Sequence, residues 1–209
     1  MTRYMVVLSG LLALCSCDVT DPFTLLRCEF RVESTKDFYL AGVSLDSLES
    51  LSSSQVAQVL AAWAEGECPM DFTLNVGIRN PNDSSSAGMD IPATLTDFGW
   101  DLYLDTSDDG DFDTTWVCSG SLGSPFEVPE GGETVILPLD VAFDAFALLG
   151  SLDPMFVIDL ALAIGGIDSD IRDPQHLGRL YIKTLPEFDT PLGPITYPSE
   201  LLINLDWAD

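Results

Sequence analysis

Apolar and polar side chains alternate along six stretches of this chain, and that pattern restricts the fold more than any other feature. Alternation with a period of two puts the apolar side chains of a strand on one face. Strands of this kind are typical of antiparallel sheets that pack over a shared core. The six stretches are residues 28–33, 72–79, 98–105, 135–143, 180–182 and 201–207. The sequence therefore predicts a mainly β fold in a single sandwich domain at 28–209, with about seven to nine strands.

Two other segments carry helix signals. Ser52 and Gln55 form a capping box before a run with helical spacing. Gly66 suits the position after the last helical turn. Asp153 as N-cap with Pro154 in the first turn begins a second, strongly apolar run. We expect two helices inserted between the strands.

The N-terminus predicts export. Residues 1–16 have one early Arg followed by an uncharged apolar run, which is typical of a secretory signal peptide. The segment Leu14-Cys15-Ser16-Cys17 matches a bacterial lipobox, in which the lipidated cysteine becomes the new N-terminus. Cys17 is the better candidate, because bulky Leu14 would precede a cut at Cys15. We expect a lipidated tether at 17–27 that anchors the protein to a membrane of the bacterial cell envelope. An ordinary cleaved signal peptide is the alternative.

The charge excludes one class of partner. The chain has 34 acidic residues against 8 basic ones, for a formal net charge of -26. Such a chain repels polyphosphate backbones, so we expect no nucleic-acid binding. The lone histidine, His176, lies in a loop-like context, and no phosphate-binding or dinucleotide fingerprint occurs. We therefore expect a protein that is not an enzyme.

The most acidic stretch, residues 105–113, reads DTSDDGDFD. Its oxygen-bearing side chains alternate around a glycine, as in loops that gather six to eight oxygens about calcium. The candidate ligands are Asp105, Ser107, Asp109, Asp111 and Asp113. Trp116 stands where an EF-hand loop has its bidentate glutamate, so a site here would be weak. A solvated loop between two strands is the alternative, and we expect no other cofactor.

Three cysteines follow the anchor, and an exported protein meets an oxidising compartment in which disulfides persist. Cys28 shares the strand face of Phe30, Cys68 precedes an inward-facing stripe, and Cys118 shares the face of Trp116. From this parity we expect all three to point inward. At most one bridge is predicted, with Cys28–Cys68 as first choice, while the other pairings and free thiols stay open.

Several segments together resemble one family. Residues 72–82 read FTLNVGIRNPN, and FGWDLYLD follows at 98–105. Weaker similarity lies at 40–45, 119–141 and 191–204. In this order and spacing they resemble the late-embryogenesis-abundant type 2 family, also called the WHy (water stress and hypersensitive response) domain, in its bacterial lipoprotein version. The resemblance implies an immunoglobulin-like antiparallel β-sandwich, here with two helical insertions, and the family has no agreed catalytic residues.

These observations lead to two functional hypotheses. The first is a non-enzymatic, lipid-anchored envelope protein that serves as a WHy-like binding or stress-protective module. Its partners would be the membrane, through the lipid anchor, and a protein or ligand that the sequence does not name. The alternative is a carrier of an apolar ligand in the sandwich interior. A deep apolar pocket would favour the carrier, and a filled core would favour the module.

Overall fold

The computed structural model describes residues 28–45, 51–81, 92–105, 114–165, 180–191 and 193–204. These residues form strands and three helices. The strands are β1 (Glu29–Leu40), β2 (Val43–Ser44), β3 (Pro69–Arg79), β4 (Ala93–Asp97), β5 (Trp100–Asp105), β6 (Thr114–Gly120), β7 (Phe126–Val128), β8 (Thr134–Asp144), β9 (Leu180–Thr184), β10 (Glu187–Thr190), β11 (Gly193–Thr196) and β12 (Leu201–Ile203). The helices are α1 (Ser53–Glu65), α2 (Ala145–Leu149) and α3 (Pro154–Ile164).

The first sheet has the strand order β2-β1-β3-β8, and all its pairs are antiparallel. β3 and β8 pair without interruption from Pro69 opposite Asp144 to Arg79 opposite Thr134. The apolar residues predicted to alternate along β3 are buried. The pattern at 72–79 therefore describes a central strand with its apolar face on the core.

The other eight strands form two further four-stranded antiparallel sheets, which we describe together as the two halves of a bent sheet because their strands follow one another in the chain. Its two halves have the orders β11-β10-β4-β7 and β12-β9-β5-β6, so each strand of one half continues into its counterpart in the other. The register also continues, with Asp97 opposite Glu187 before the bend and Trp100 opposite Thr184 after it. The Thr184 hydroxyl donates a 2.8 Å hydrogen bond to the Gly99 carbonyl at the bend. The described residues thus contain twelve strands, more than the seven to nine predicted, because short strands follow one another in pairs along the bent sheet.

The apolar faces of the two sheets meet in one core. Near the bend, Phe30 of the first sheet stacks on Phe98 and contacts Phe188 and Tyr197. The buried Tyr197 hydroxyl donates a 2.6 Å hydrogen bond to the Cys28 carbonyl, which ties the last quarter of the chain to the start of β1. The predicted mainly β fold, an antiparallel sandwich, is confirmed.

Both predicted helices are present, and a short third one was not foreseen. Ser52 and Gln55 make the reciprocal capping box of α1, and Gly66 ends it at a φ of 85°. Asp153 accepts a 2.7 Å bond from the Met155 backbone N–H at the start of α3. The additional helix, α2, follows β8 directly because Asp144 caps it. Within the described residues, no helix combines the length and apolar character needed to cross a membrane.

Candidate functional site

Buried apolar side chains of both sheets and of α3 pack together in the interior of the sandwich. A cavity of about 10 Å³ lies between the two sheets and α3, lined by apolar side chains such as Phe72, Leu102 and Leu160. That volume holds about one water-sized sphere, whereas small-molecule pockets measure about 300–1,000 Å³. A cavity of this size is too small for an apolar ligand.

A groove of about 290 Å³ opens on the surface between β8 and the connection from β6 to β7. Trp100, Gly120, Pro138 and Asp140 contribute to its walls. A Cβ atom on Gly120 would overlap the Trp100 indole, so glycine is what lets the ring lie across β6. The groove therefore exists because of how Trp100 packs, and it lies just under the usual size of ligand pockets.

The more distinctive surface is on the outer side of the bent sheet. Tyr103 of β5 lies opposite Trp116 of β6 on one side and opposite Tyr181 of β9 on the other. Directly opposed residues in antiparallel strands project from the same face of a sheet. The three rings therefore form a row across three neighbouring strands, and we call these residues the aromatic row.

Two charged side chains bracket this row. The Trp116 indole Nε1 donates a 3.1 Å hydrogen bond to Asp101 Oδ1. The Lys183 ammonium lies over the Tyr103 ring, 4.5 Å from its centroid. Asp101 and Lys183 oppose each other in the register next to the row. The row is thus oriented by a carboxylate and holds a cation over its middle ring.

The exposure of Trp116 corrects the predicted facing of β6. The shared parity of Trp116 and Cys118 predicted both to point inward, but Trp116 is 51 % exposed and Val117 is buried instead. The β5–β6 register shifts by one residue at this point, between the partners of Leu102 and Tyr103. A bulge of this kind inserts one extra residue and changes which side chains face the core. Cys118 ends half-buried beside the bulge.

The aromatic row was missed from the sequence, although part of its signal was present. Asp101 and Tyr103 occupy the polar positions of the predicted strand at 98–105, and Tyr181 alternates with the buried Leu180 and Ile182. Those positions identify outward-facing rings. They do not say which strands are neighbours, and a row exists only when the strands are paired.

The predicted Cys28–Cys68 disulfide is wrong for this fold. Both cysteines are free and buried. β1 and β3 are antiparallel, with Glu29 opposite Arg79 and Leu40 opposite Met70, so the two thiols lie at opposite ends of the strand pair. At 3.4 Å per residue they are roughly 40 Å apart, and a disulfide needs Cα atoms within about 7 Å.

The Cys28 and Cys68 thiols are also unreactive. Burial, together with the charge of Glu29, raises the pKa of the Cys28 thiol to about 12. Burial and the Asp144 carboxylate raise the pKa of Cys68 to about 11. The thiolate is the reactive form of cysteine, so these groups stay protonated and unreactive at neutral pH.

The remaining predicted site residues lie outside the described part of the chain. Ser107, Asp109, Asp111 and Asp113 belong to this group, and of Asp105 only the backbone is described, as the last residue of β5. Cys17 and His176 also lie outside it. Calcium binding and lipidation therefore stay predictions. Among the described residues, no group of His, Cys, Asp or Glu side chains has an arrangement that could hold a metal ion.

Comparison with known proteins gives little guidance on the function of this chain. No family model matches the chain, and no curated protein matches it. An X-ray structure of a Northeast Structural Genomics Consortium target is similar at 8 % identity, covering 90 % of this chain and 86 % of that one, with a TM-score of 0.35. A crystal structure of a protein from Archaeoglobus fulgidus is similar at 13 % identity, covering 84 % and 98 %, with a TM-score of 0.31. Scores this low carry no functional argument, so the likeness to the WHy family stays a prediction.

Proposed function

We propose that this protein is a non-enzymatic, lipid-anchored module of the bacterial cell envelope that binds its partner on the outer face of the bent sheet. In this proposal Cys17 carries the lipid, the tether at 17–27 spaces the domain from the membrane, and the aromatic row is the binding surface. A WHy-like protective role under water stress is compatible with such a module.

One observation carries this proposal. The cavity between the two sheets and α3 measures about 10 Å³, while Trp116 stays 51 % exposed on the outside. Large aromatic side chains contribute most when they are buried, and Trp and Tyr are enriched where proteins contact partners. An exposed indole in a row of aromatic rings, beside an interior cavity this small, favours binding at the surface over transport of a ligand inside.

The anchor is tested by replacing single cysteines and fractionating cells. We expect the unchanged chain to sediment with membranes and the Cys17→Ser variant to appear in the soluble fraction, since no lipid is then attached. Cys15→Ser is the matched control, because it alters the same tetrapeptide but leaves Cys17, and it should stay with membranes. A Cys17→Ser protein that still sediments with membranes would refute the lipid anchor.

The binding surface is tested by capture from an envelope extract. The full chain, immobilised, should retain material that the Trp116→Ala variant does not retain. Tyr39→Ala is the matched control, because Tyr39 is also an exposed aromatic residue, 39 % accessible, but lies on β1 of the other sheet. If Trp116→Ala and Tyr39→Ala retain the same material as the unchanged chain, the aromatic row is not the binding surface.

A further inference from the structure

We propose that the aromatic row binds an arginine-rich segment of a protein partner, with guanidinium groups stacked on its rings and first of all on the exposed Trp116. This inference rests on the proposed function, because it concerns the same surface and names the chemistry of its partner. Three observations support it: the spacing of the rings, the cation already placed over one of them, and the charge of the chain.

The row has the dimensions of a short peptide contact. Its rings stand on three consecutive strands, β6, β5 and β9, in direct register. Neighbouring strands are about 4.8 Å apart, so the row extends roughly 10 Å across the sheet. That distance equals about three residues of extended chain. A short segment crossing the strands is therefore long enough to reach from Trp116 to Tyr181.

The row already holds a cation. Lys183 Nζ lies 4.5 Å from the centroid of the Tyr103 ring, within the roughly 6 Å over which a ring face attracts a positive charge. The hydrogen bond from Trp116 to Asp101 fixes the indole orientation before any partner arrives. Trp116 is the most exposed ring of the row, and indole binds cations better than phenol does.

The charge of the chain selects the class of partner. With 34 acidic and 8 basic residues, the chain attracts cationic segments and repels anionic polymers. It repels a second copy of itself for the same reason, which disfavours self-association through this face. Arginine is favoured over lysine because its planar, weakly hydrated guanidinium stacks on aromatic rings. Trp, Tyr and Arg are also the residue types that dominate binding energy at protein interfaces.

The test compares two synthetic peptides of equal length and charge on the full chain in nonionic detergent. One alternates Arg with Gly and the other Lys with Gly, so the general attraction of the acidic surface acts equally on both. We expect the Arg peptide to bind about two- to fivefold more tightly, the ratio expected for stacking at an exposed site. The ratio should fall to about one in a Trp116→Ala/Tyr103→Ala variant and remain unchanged in Tyr39→Ala.

Three results would overturn the proposal: equal affinities of the unchanged chain for both peptides, an Arg preference that survives removal of the rings, or ring-dependent binding of the neutral polysaccharide dextran without an Arg preference. Circular dichroism confirms that each variant is folded. The test also separates the two proposals. If capture from envelope extract depends on Trp116 but the Arg preference is absent, only the partner chemistry is wrong. If neither depends on Trp116, the surface itself is wrong.

Discussion

The outer faces of the two sheets carry different kinds of side chains. On the first sheet, Arg31 pairs with Glu33 at 2.8 Å, and Arg79 pairs with Glu29 on the same strands. Thr73 and Asn75 of β3 likewise bond side chains of neighbouring strands. On the bent sheet the corresponding positions hold the aromatic row. One face pairs its polar groups internally, and the other presents rings to solvent.

This difference indicates where a partner would bind. Side chains that already bond each other must give up those bonds before they can bond a partner, and exposed ion pairs contribute little in any case. The exposed face of the Trp116 ring can be covered while its Nε1 keeps the hydrogen bond to Asp101, and burial of its apolar area is favourable at about 25 cal/mol per Å². Trp116, the most exposed aromatic side chain of the described residues, lies on the face that can gain from contact.

The largest expected difference between the sheets is the loss of stability when one glycine in each is replaced by alanine. A Cβ on Gly120 would overlap the buried Trp100 indole, and a Cβ on Gly77 would meet the Glu33 side chain. We expect Gly120→Ala to lower the free energy of unfolding by about 1–3 kcal/mol, because a packed ring must move. Gly77→Ala should be nearly neutral, because Glu33 can swing into solvent. Urea unfolding of both variants measures the difference, and equal losses would contradict this account.

A smaller effect on stability is expected at low pH, from Asp144 at the end of β8 in the first sheet. Asp144 accepts bonds from the backbone N–H of Cys68, Phe146 and Ala147, which lower its pKa from the ordinary 3.8. Because the folded pKa is depressed, its stabilisation is present above the ordinary pKa and is lost as pH falls through the folded value. Asp144→Ala should cost about 1–2 kcal/mol at neutral pH.

Urea unfolding at neutral pH and in steps below pH 3.8 tests this. The difference in free energy of unfolding between the unchanged protein and Asp144→Ala should become smaller in acid. The reason is that a protonated carboxyl accepts those hydrogen bonds less strongly. Asp144→Asn is the matched control, because Asn also caps helices but does not titrate. A gap that stays constant over the whole pH range would show that the charge of Asp144 plays no part.

The smallest expected effects compare the two faces directly. Arg79→Ala removes a partly buried ion pair and should cost about 0.2–1 kcal/mol, with a loss that becomes smaller in 1 M salt, where the screening length is about 3 Å. Trp116→Ala should change stability by no more than about 0.5 kcal/mol, at any salt concentration, because the ring is exposed. Unfolding at low and high salt separates these behaviours. A salt-dependent Trp116→Ala effect would mean that the aromatic row is part of a charge network.

Local chemistry in the sequence predicted most of the elements. The alternation at 72–79 and 135–143 became β3 and β8, and the capping box at Ser52 became the start of α1. Each of these signals depends on residues only a few positions apart, so it can be read from the chain alone. Where a local signal was ambiguous, prediction failed: adjacent apolar residues Trp116 and Val117 fit either facing of β6, and the bulge decided between them.

The sequence by itself therefore determined the mainly β character, the two inserted helices and the acidic charge. It also determined that Cys28 and Cys68 face inward. Tertiary structure alone decided which strands are neighbours. Pairing joins residues far apart in the chain, such as Tyr103 and Tyr181, and the antiparallel register that creates the aromatic row also separates Cys28 from Cys68. Periodicity assigns a side chain to a face of its strand, but its neighbours on that face depend on how the whole chain packs.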